Sequence, residues 1–199
     1  MANTSKPCGL RPVSQPYGSI RCNWYKMVTG CAIYMYHPMA LNASGYAETA
    51  TVGSDNALVG SAIGFADNDW APISDSYSGY CPANPSSVDS SGYVNVLIAD
   101  DPEQLFIIEE DSAGTALTVA ANFAGIDLCY LAASGSTVSG ISYCCADAST
   151  VGTNTGQQLQ LIKKLDRSDN AYGDYCKWIA RIHYHKYNPP NQVGVSSLI

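Results

Sequence analysis

The chain has 199 residues, of which 46% are hydrophobic and 14% are charged, and its formal net charge is −7. This length suits one β-sandwich or barrel, because such domains commonly reach about 200–250 residues. Ten basic residues within an acidic total argue against a nucleic-acid-binding protein. No run of residues approaches the ~18 apolar positions of a membrane-spanning helix, so we expect no membrane partner.

The low charge and the cysteines bear on two properties of the chain, its contacts with other subunits and its redox compartment. A surface poor in charge is typical where other subunits cover it, because neutral groups cost less to desolvate than ions do; a low-charge monomer is the alternative. The first residues lack the basic start and apolar stretch of a signal peptide, so we expect synthesis in the cytoplasm. In that reducing compartment the eight cysteines should be mostly free and buried, with disulfides after release from the cell as the alternative.

Charge is distributed unevenly along the chain. No Lys or Arg lies between Met27 and Ile162, and this middle region holds 14 of the 17 acidic residues. One interpretation is chance in a small set of charges. The other is that both basic ends meet at one acidic partner surface while the acidic middle faces solvent.

The segment 93–111 holds the clearest strand signals. Two short apolar runs rich in β-branched residues, 94–99 and 105–108, are typical of strands on a buried surface. The residues Asp100-Asp-Pro-Glu103 separate them and predict a tight turn, because Pro102 presets its backbone angle and aspartates bond to nearby amides. The acidic run 109–111 closes the second strand.

The other elements are also predicted as strands. The patterns indicate β structure between 20 and 36, short strands around 45–51 and 57–65, a short helix or further strands over 114–131, a hairpin within 132–157, and an edge or amphipathic strand at 157–165. The last strand alternates most regularly, with Trp178, Ala180, Ile182 and Tyr184 on one face and Lys177, Arg181, His183 and His185 on the other.

These elements predict a mainly β fold, a sandwich or barrel-like body of β-tulip or jelly-roll type, with little helix. Residues 1–20 are rich in Pro and Gly and are expected to be an extended N-terminal arm that orders against something else. Residues 21–187 form a single β-rich domain with a long surface loop at 66–92. Residues 188–199 form a C-terminal tail.

The motifs of catalysis and metal binding are weak or missing. His183 and His185 share a strand face but lack a third zinc ligand, so histidines on a solvent or interface face are favoured. Asp67-Asn-Asp69 resembles the start of a calcium loop without its Gly and distal Glu, which favours a solvated acidic loop. No nucleophile elbow, phosphate loop or activated cysteine is recognisable. We therefore expect no enzyme, no metal and no cofactor.

Four stretches, in order, resemble a known family. They are Gly9-Leu-Arg-Pro-Val13, the 45–65 segment with Val59-Gly-Ser-Ala-Ile-Gly-Phe65, the Val96-Leu-Ile-Ala-Asp-Asp-Pro-Glu-Gln-Leu-Phe-Ile-Ile-Glu-Glu-Asp111 segment, and the 161–185 stretch with Arg167-Ser-Asp-Asn-Ala-Tyr-Gly173. Together they resemble the decoration or cement proteins of tailed-bacteriophage heads. The resemblance covers roughly residues 9 to 187 as short motifs with loose spacing. The eight cysteines and the 66–92 loop depart from it.

The resemblance implies a structural virion protein, made in the host cytoplasm, that binds the capsid exterior across joints between major capsid protein subunits and stabilises the shell. It also implies a homo-oligomer, a trimer by preference or a dimer. The alternatives are a receptor- or carbohydrate-binding β module, suggested by the 14 tyrosines and the 66–92 loop, and a major shell subunit. The residues expected at the capsid contact are Arg11, Arg21, Trp24 and Tyr25 of the arm region and Lys177, Trp178, Arg181, His183 and His185 of the last strand.

Overall fold

The structure is a computed structural model that describes residues 3–13, 18–28, 30–73, 79–83, 93–153 and 156–187. The predicted tail at 188–199 and parts of the 66–92 loop, 74–78 and 84–92, lie outside the described residues. The strands are β1 Arg11–Pro12, β2 Cys22–Val28, β3 Pro38–Leu41, β4 Ala47–Thr49, β5 Gly60–Ala66, β6 Tyr93–Ala99, β7 Leu105–Glu109, β8 Gly125–Gly135, β9 Ser142–Gly152, β10 Leu159–Lys164 and β11 Lys177–Ile182.

The mainly β, barrel-like fold is confirmed. Within the described ranges the helical element is one 3₁₀ turn, Val119–Ala121, which Thr118 caps by accepting a hydrogen bond from the Ala120 N–H at 3.4 Å. None of the described segments contains a helix long and apolar enough to cross a membrane.

Five strands close into a barrel in the order β2-β4-β3-β5-β6. Its pairs are antiparallel except for β2 and β4, which run parallel and meet at Met27 and Ala47. Strand β6 is buried over most of its length because it lies between β2 and β5 and also faces the barrel interior. The barrel core consists of Met27, Ile33, Met39, Ala47, Val59, Ala62, Phe65, Ile73, Cys81, Val94, Val96 and Ile98.

Gly60 begins β5 close to the backbone of β6. Its φ is +157°, and a Cβ built there would lie 2.1 Å from the carbonyl oxygen of Ala99. An L-side chain therefore meets both a disfavoured backbone angle and a steric clash with main chain.

The remaining strands form a six-stranded sheet in the order β1-β7-β11-β10-β8-β9. A parallel bridge between Glu110, just after β7, and Ala146 in β9 curls the sheet toward its own far edge. Strand β11 buries Trp178, Ala180 and Ile182 inside the curl, as its alternation predicts. Strand β10 lies between β8 and β11, so it is amphipathic and internal, and the edge alternative is wrong.

The predicted turn at 100–103 connects the barrel to the six-stranded sheet. Strands β6 and β7 both form as predicted, yet β6 pairs within the barrel and β7 pairs with β1 and β11. The Asp101 carboxylate accepts a hydrogen bond from the Glu103 N–H at 2.9 Å, and the Asp101 backbone carbonyl accepts one from the Gln104 N–H at 2.9 Å. The turn thus moves the chain from one sheet to the other.

Contacts between the barrel and the sheet include His37, which is buried just before β3. Its Nε2 lies 3.0 Å from the Tyr130 hydroxyl and its Nδ1 lies 3.3 Å from the Ser142 hydroxyl, both on the six-stranded sheet. Burial lowers the pKa of His37 to about 4, so the imidazole is neutral at physiological pH.

The described part of the predicted arm packs on this chain's own body. Leu10 is fully buried in the core of the six-stranded sheet, and the Ser61 hydroxyl donates to its carbonyl at 2.6 Å. Arg11 and Pro12 pair with Ile107 and Phe106 of β7. The arm therefore covers an edge of the sheet that would otherwise be open.

Candidate interaction surface

The four arm-region residues expected at a contact lie in different settings. Arg11 is exposed, with its guanidinium 5.8 Å from the centre of the Tyr36 ring. Arg21 is exposed and Trp24 is 43% exposed, so both side chains reach the surface. Tyr25 is half-buried, and its hydroxyl donates to the Asp100 carboxylate.

The last-strand set divides into surface and core residues. Arg181 is partly exposed and donates from Nε to the Gln160 side chain at 2.9 Å, while His183 is half-buried. Trp178 is fully buried, and its indole N–H donates to Glu110 at 2.6 Å. His185, expected on a solvent or interface face, is 1% exposed. The expectation that Trp178 and His185 are surface contacts is wrong for this fold, because the body of the protein covers both side chains.

Lys177 belongs to an internal ion pair. Its ammonium lies 2.7 Å from the carboxylate of Glu109, which is 1% exposed, and also donates to the Lys6 carbonyl at 3.1 Å. The same carboxylate accepts the Lys6 N–H at 2.9 Å and the Ser5 hydroxyl at 3.2 Å. Lys177 and Glu109 therefore fasten the arm to the end of β7.

The expectation that the acidic middle faces solvent is wrong for five of its carboxylates. Ion pairs join basic residues near the chain ends to carboxylates of the middle: Arg21 to Asp100 at 3.9 Å, Lys177 to Glu109 at 2.7 Å and Arg181 to Glu103 at 3.7 Å. The basic ends thus find acidic partners within their own chain. Several middle carboxylates are buried, namely Asp100, Glu109, Glu110, Asp111 and Asp127.

The Asp100 carboxylate brings the arm region and the C-terminal segment together. It accepts hydrogen bonds from the Asn23 amide at 2.8 Å and from the Tyr25 hydroxyl, which also contacts the Tyr187 hydroxyl. Burial and the hydrogen bond to Asp100 raise the pKa of Tyr25 well above its usual range. Burial lowers the pKa of the neighbouring His185, whose Nδ1 accepts the Tyr187 N–H at 3.1 Å. The Asn23, Tyr25 and Asp100 side chains satisfy one another, which is the pattern of a structural polar cluster. The buried Nε2 of His185 has no hydrogen-bond partner among the described residues.

An exposed tryptophan pair lies on the outside of the barrel. Trp24 of β2 and Trp70 of the turn after β5 meet edge to face, with ring centres 5.4 Å apart and planes at 82°. They remain 43% and 58% exposed. Two adjacent, largely apolar rings left open to water are typical of a binding surface.

The turn that carries Trp70 is held rigidly. The Asp67 carboxylate accepts the N–H groups of Asp69 at 3.0 Å and Ala71 at 2.8 Å, and the Asn95 amide donates to the Asp67 carbonyl at 2.7 Å. Trp70 has a φ of +64°, which costs a non-glycine residue roughly 1–3 kcal/mol. The Asp67-Asn-Asp69 sequence therefore caps a turn that presents a tryptophan.

Further aromatic residues extend this surface along the barrel. Tyr46 and Tyr93 stack with ring centres 4.9 Å apart, and the Lys26 ammonium lies 6.0 Å from the centre of the Tyr93 ring. Trp24 and Lys26 lie two residues apart on β2, so they share one face of the strand. We call the set Trp24, Lys26, Tyr46, Trp70 and Tyr93 the aromatic face.

The described residues include no group of three or more His, Cys, Asp or Glu side chains that could hold a metal ion. Several thiols are in settings that make them poor nucleophiles. Burial raises the pKa of Cys8 to about 11 and those of Cys81 and Cys176 to about 12, so little thiolate is present at neutral pH.

Comparisons with protein-family models, with curated proteins and with solved structures found no match to this chain. The protein is a mainly β protein with an arm fastened to its own sheet and an aromatic face on its barrel. Sequence reasoning identified Trp24 but missed Trp70, although the Asp67-Asn-Asp69 turn signal directly before that residue could have indicated it.

Proposed function

We propose that this protein is a structural virion protein that binds the outside of a tailed-bacteriophage capsid and stabilises the shell across joints between major capsid protein subunits. The observation that carries the proposal is the exposed Trp24–Trp70 pair, fixed on a strand and a braced turn. Tryptophans are enriched among the residues that dominate protein–protein binding, and a rigid pair loses little entropy on docking. The motif resemblance supplies the identity of the partner.

The proposed mechanism is mechanical and needs no chemical step. Contacts that exist on the assembled shell but not on its separated subunits add binding free energy to the assembled state. Many copies per shell multiply a modest contact. We further propose that the protein acts as a homo-oligomer, a trimer by preference or a dimer, because the low charged fraction suits surfaces that other copies cover.

The first test mixes the purified protein with capsids of the encoding phage that lack it. Sedimentation of the shells should carry the protein down at a fixed ratio, and shells with bound protein should rupture at a higher temperature. Protein that remains in the supernatant, with unchanged shell rupture, would refute the proposal.

A carbohydrate-binding module is the second candidate, and the same tryptophan pair favours it because sugars stack on exposed aromatic rings. Binding to a glycan array together with absence from sedimented shells would support that function. A major shell subunit would instead assemble into shells by itself, which electron microscopy of the purified protein would reveal.

A further inference from the structure

Two cysteines face each other across the β8–β9 hairpin. In the antiparallel register Cys129 is the direct partner of Cys145. Directly opposite residues share one face of a sheet, with Cα atoms about 4.5–5.5 Å apart. Disulfide bonds join Cα atoms about 4.4–6.8 Å apart. The backbone therefore places this pair at disulfide distance without rearrangement.

The side chain of Cys145 also lies against Cys129. Its thiol donates to the Cys129 carbonyl oxygen at 3.5 Å. Among the described strand pairs, this is the one place where two cysteines are in register. Cys144, the sequence neighbour of Cys145, lies opposite Tyr130 and belongs to the core of the curled sheet, on the other face of the hairpin.

We propose that Cys129 and Cys145 form a reversible redox pair whose substrate is a low-molecular-weight disulfide such as oxidised glutathione. The Cys129 thiolate attacks one sulfur of the small disulfide, forms a mixed disulfide and releases one small thiol. The Cys145 thiolate then attacks the Cys129 sulfur and releases the second small thiol. The protein loses two electrons and two protons, and the small disulfide gains both.

The surroundings of the pair set the rate of this reaction. Cys129 is half-buried and thus reachable, whereas Cys145 is 1% exposed, which makes Cys129 the attacking residue. The Cys129 thiol donates to the Asp111 carboxylate at 3.7 Å. The neighbouring Cys145 thiol, burial and the negative charges of Asp111 and Asp147 raise the pKa of Cys129. Thiolate is scarce, so the pair reacts slowly at neutral pH and faster as the pH rises.

Oxidation would fasten β9 covalently to β8. Strand β9 ends the order of the six-stranded sheet, so one of its sides lacks a full partner strand. A bond that closes a short loop in the unfolded chain should raise the melting temperature by roughly 5–10 °C. The hairpin would thus become more stable after the protein leaves the cell.

The test uses the whole purified chain, incubated at pH 8.5 with oxidised glutathione or with a reductant. Intact mass should fall by two hydrogen atoms in the oxidised sample. Trypsin cannot locate the bond because no Lys or Arg lies between Met27 and Ile162. Chymotrypsin cleaves after Tyr130 and Tyr143 and separates the two cysteines, and a Cys144→Ala variant distinguishes Cys145 from its neighbour.

We expect one disulfide, between residues 129 and 145, together with the higher melting temperature. Cys129→Ser should lose both, whereas Cys31→Ser, which removes an exposed thiol, should keep both. A bond mapped to other cysteines, or no bond in the unmodified chain, would overturn the proposal. Mapping the disulfide in the unmodified chain tests the proposal even if a variant folds poorly.

Discussion

Glu110 offers a test of the buried acidic middle. Its side chain is fully buried inside the curled sheet, where it accepts hydrogen bonds from the Trp178 indole N–H at 2.6 Å and the Leu117 N–H at 3.2 Å. Burial raises the pKa of Glu110 from 4.5 to about 7, and the two hydrogen bonds oppose that rise only in part. The folded protein therefore holds a proton here that the unfolded chain releases.

This difference makes stability depend on pH with a definite sign. Between pH 4.5 and about 7 the unfolded chain has lost the Glu110 proton while the folded protein keeps it, so stability falls as the pH rises. The contribution is complete below pH 4.5 and is lost as the pH passes through the folded pKa. Each pKa unit corresponds to about 1.4 kcal/mol, so the whole shift is worth about 3 kcal/mol.

Glu110→Gln keeps the acceptor oxygen and removes the ionisation. Urea unfolding, followed by tryptophan fluorescence from pH 4.5 to 8, gives the free energy of unfolding of each variant. The difference between Glu110→Gln and the parent should rise by about 3 kcal/mol in favour of the variant across this range. Glu48→Gln removes an exposed carboxylate of β4 and controls for the loss of one charge. A difference that stays constant with pH would show that folding does not raise the pKa of Glu110.

Three further predictions test the contacts between elements. His37, with a pKa of about 4, contributes stability that is complete above pH 6.5 and is lost as the pH falls toward 4. In urea unfolding, the free energy of unfolding of His37→Gln should lack that loss, and a variant with the same pH profile as the parent would contradict the prediction. Lys177→Met should cost about 3 kcal/mol by leaving Glu109 buried without its cation, and Glu109→Gln in the same chain should recover part of this cost. In Lys177→Met, amide exchange at Lys6 should accelerate while Leu10, which bonds to Tyr36, stays protected; equal exchange rates in parent and variant would exclude the fastening role. Gly60→Ala should destabilise the folded protein by about 3 kcal/mol, because the new side chain clashes with Ala99 and the backbone angle is disfavoured. Gly64→Ala is the control, since its side chain would meet ordinary contacts and should be tolerated. Similar melting temperatures for both variants would contradict the packing of β5 on β6.

The strands were predictable from the sequence because their signals are local. The apolar runs that became β6 and β7, and the alternation of β11, follow from side-chain period alone. A two-residue period reveals which side chains share a face, but it does not reveal what covers that face. For this reason Trp178 was assigned correctly to the apolar face and wrongly to a contact, and the turn at Pro102 gave no sign that it joins two different sheets.

The partners of the acidic residues were even harder to predict from local sequence. Glu109 is followed directly by Glu110, and this acidic run predicted only the end of the second strand. Their partners, Lys177 and Trp178, lie 68 positions further along the chain. No local pattern encodes such a pairing, because it depends on β11 lying beside β7. The uneven distribution of charge was the available signal, and three basic residues near the chain ends pair with acidic residues of the middle region.

The proposed function rests on the claim that the aromatic face binds a capsid. The most direct measurement is the affinity of fluorescently labelled protein for shells that lack it, compared between Trp24→Ala, Trp70→Ala and the control Phe123→Ala, which removes an exposed ring elsewhere. We predict that each tryptophan variant binds about 30-fold more weakly, as loss of a dominant contact residue implies, with an unchanged melting temperature and with the control equal to the parent. Equal affinity for all four proteins would contradict the claim.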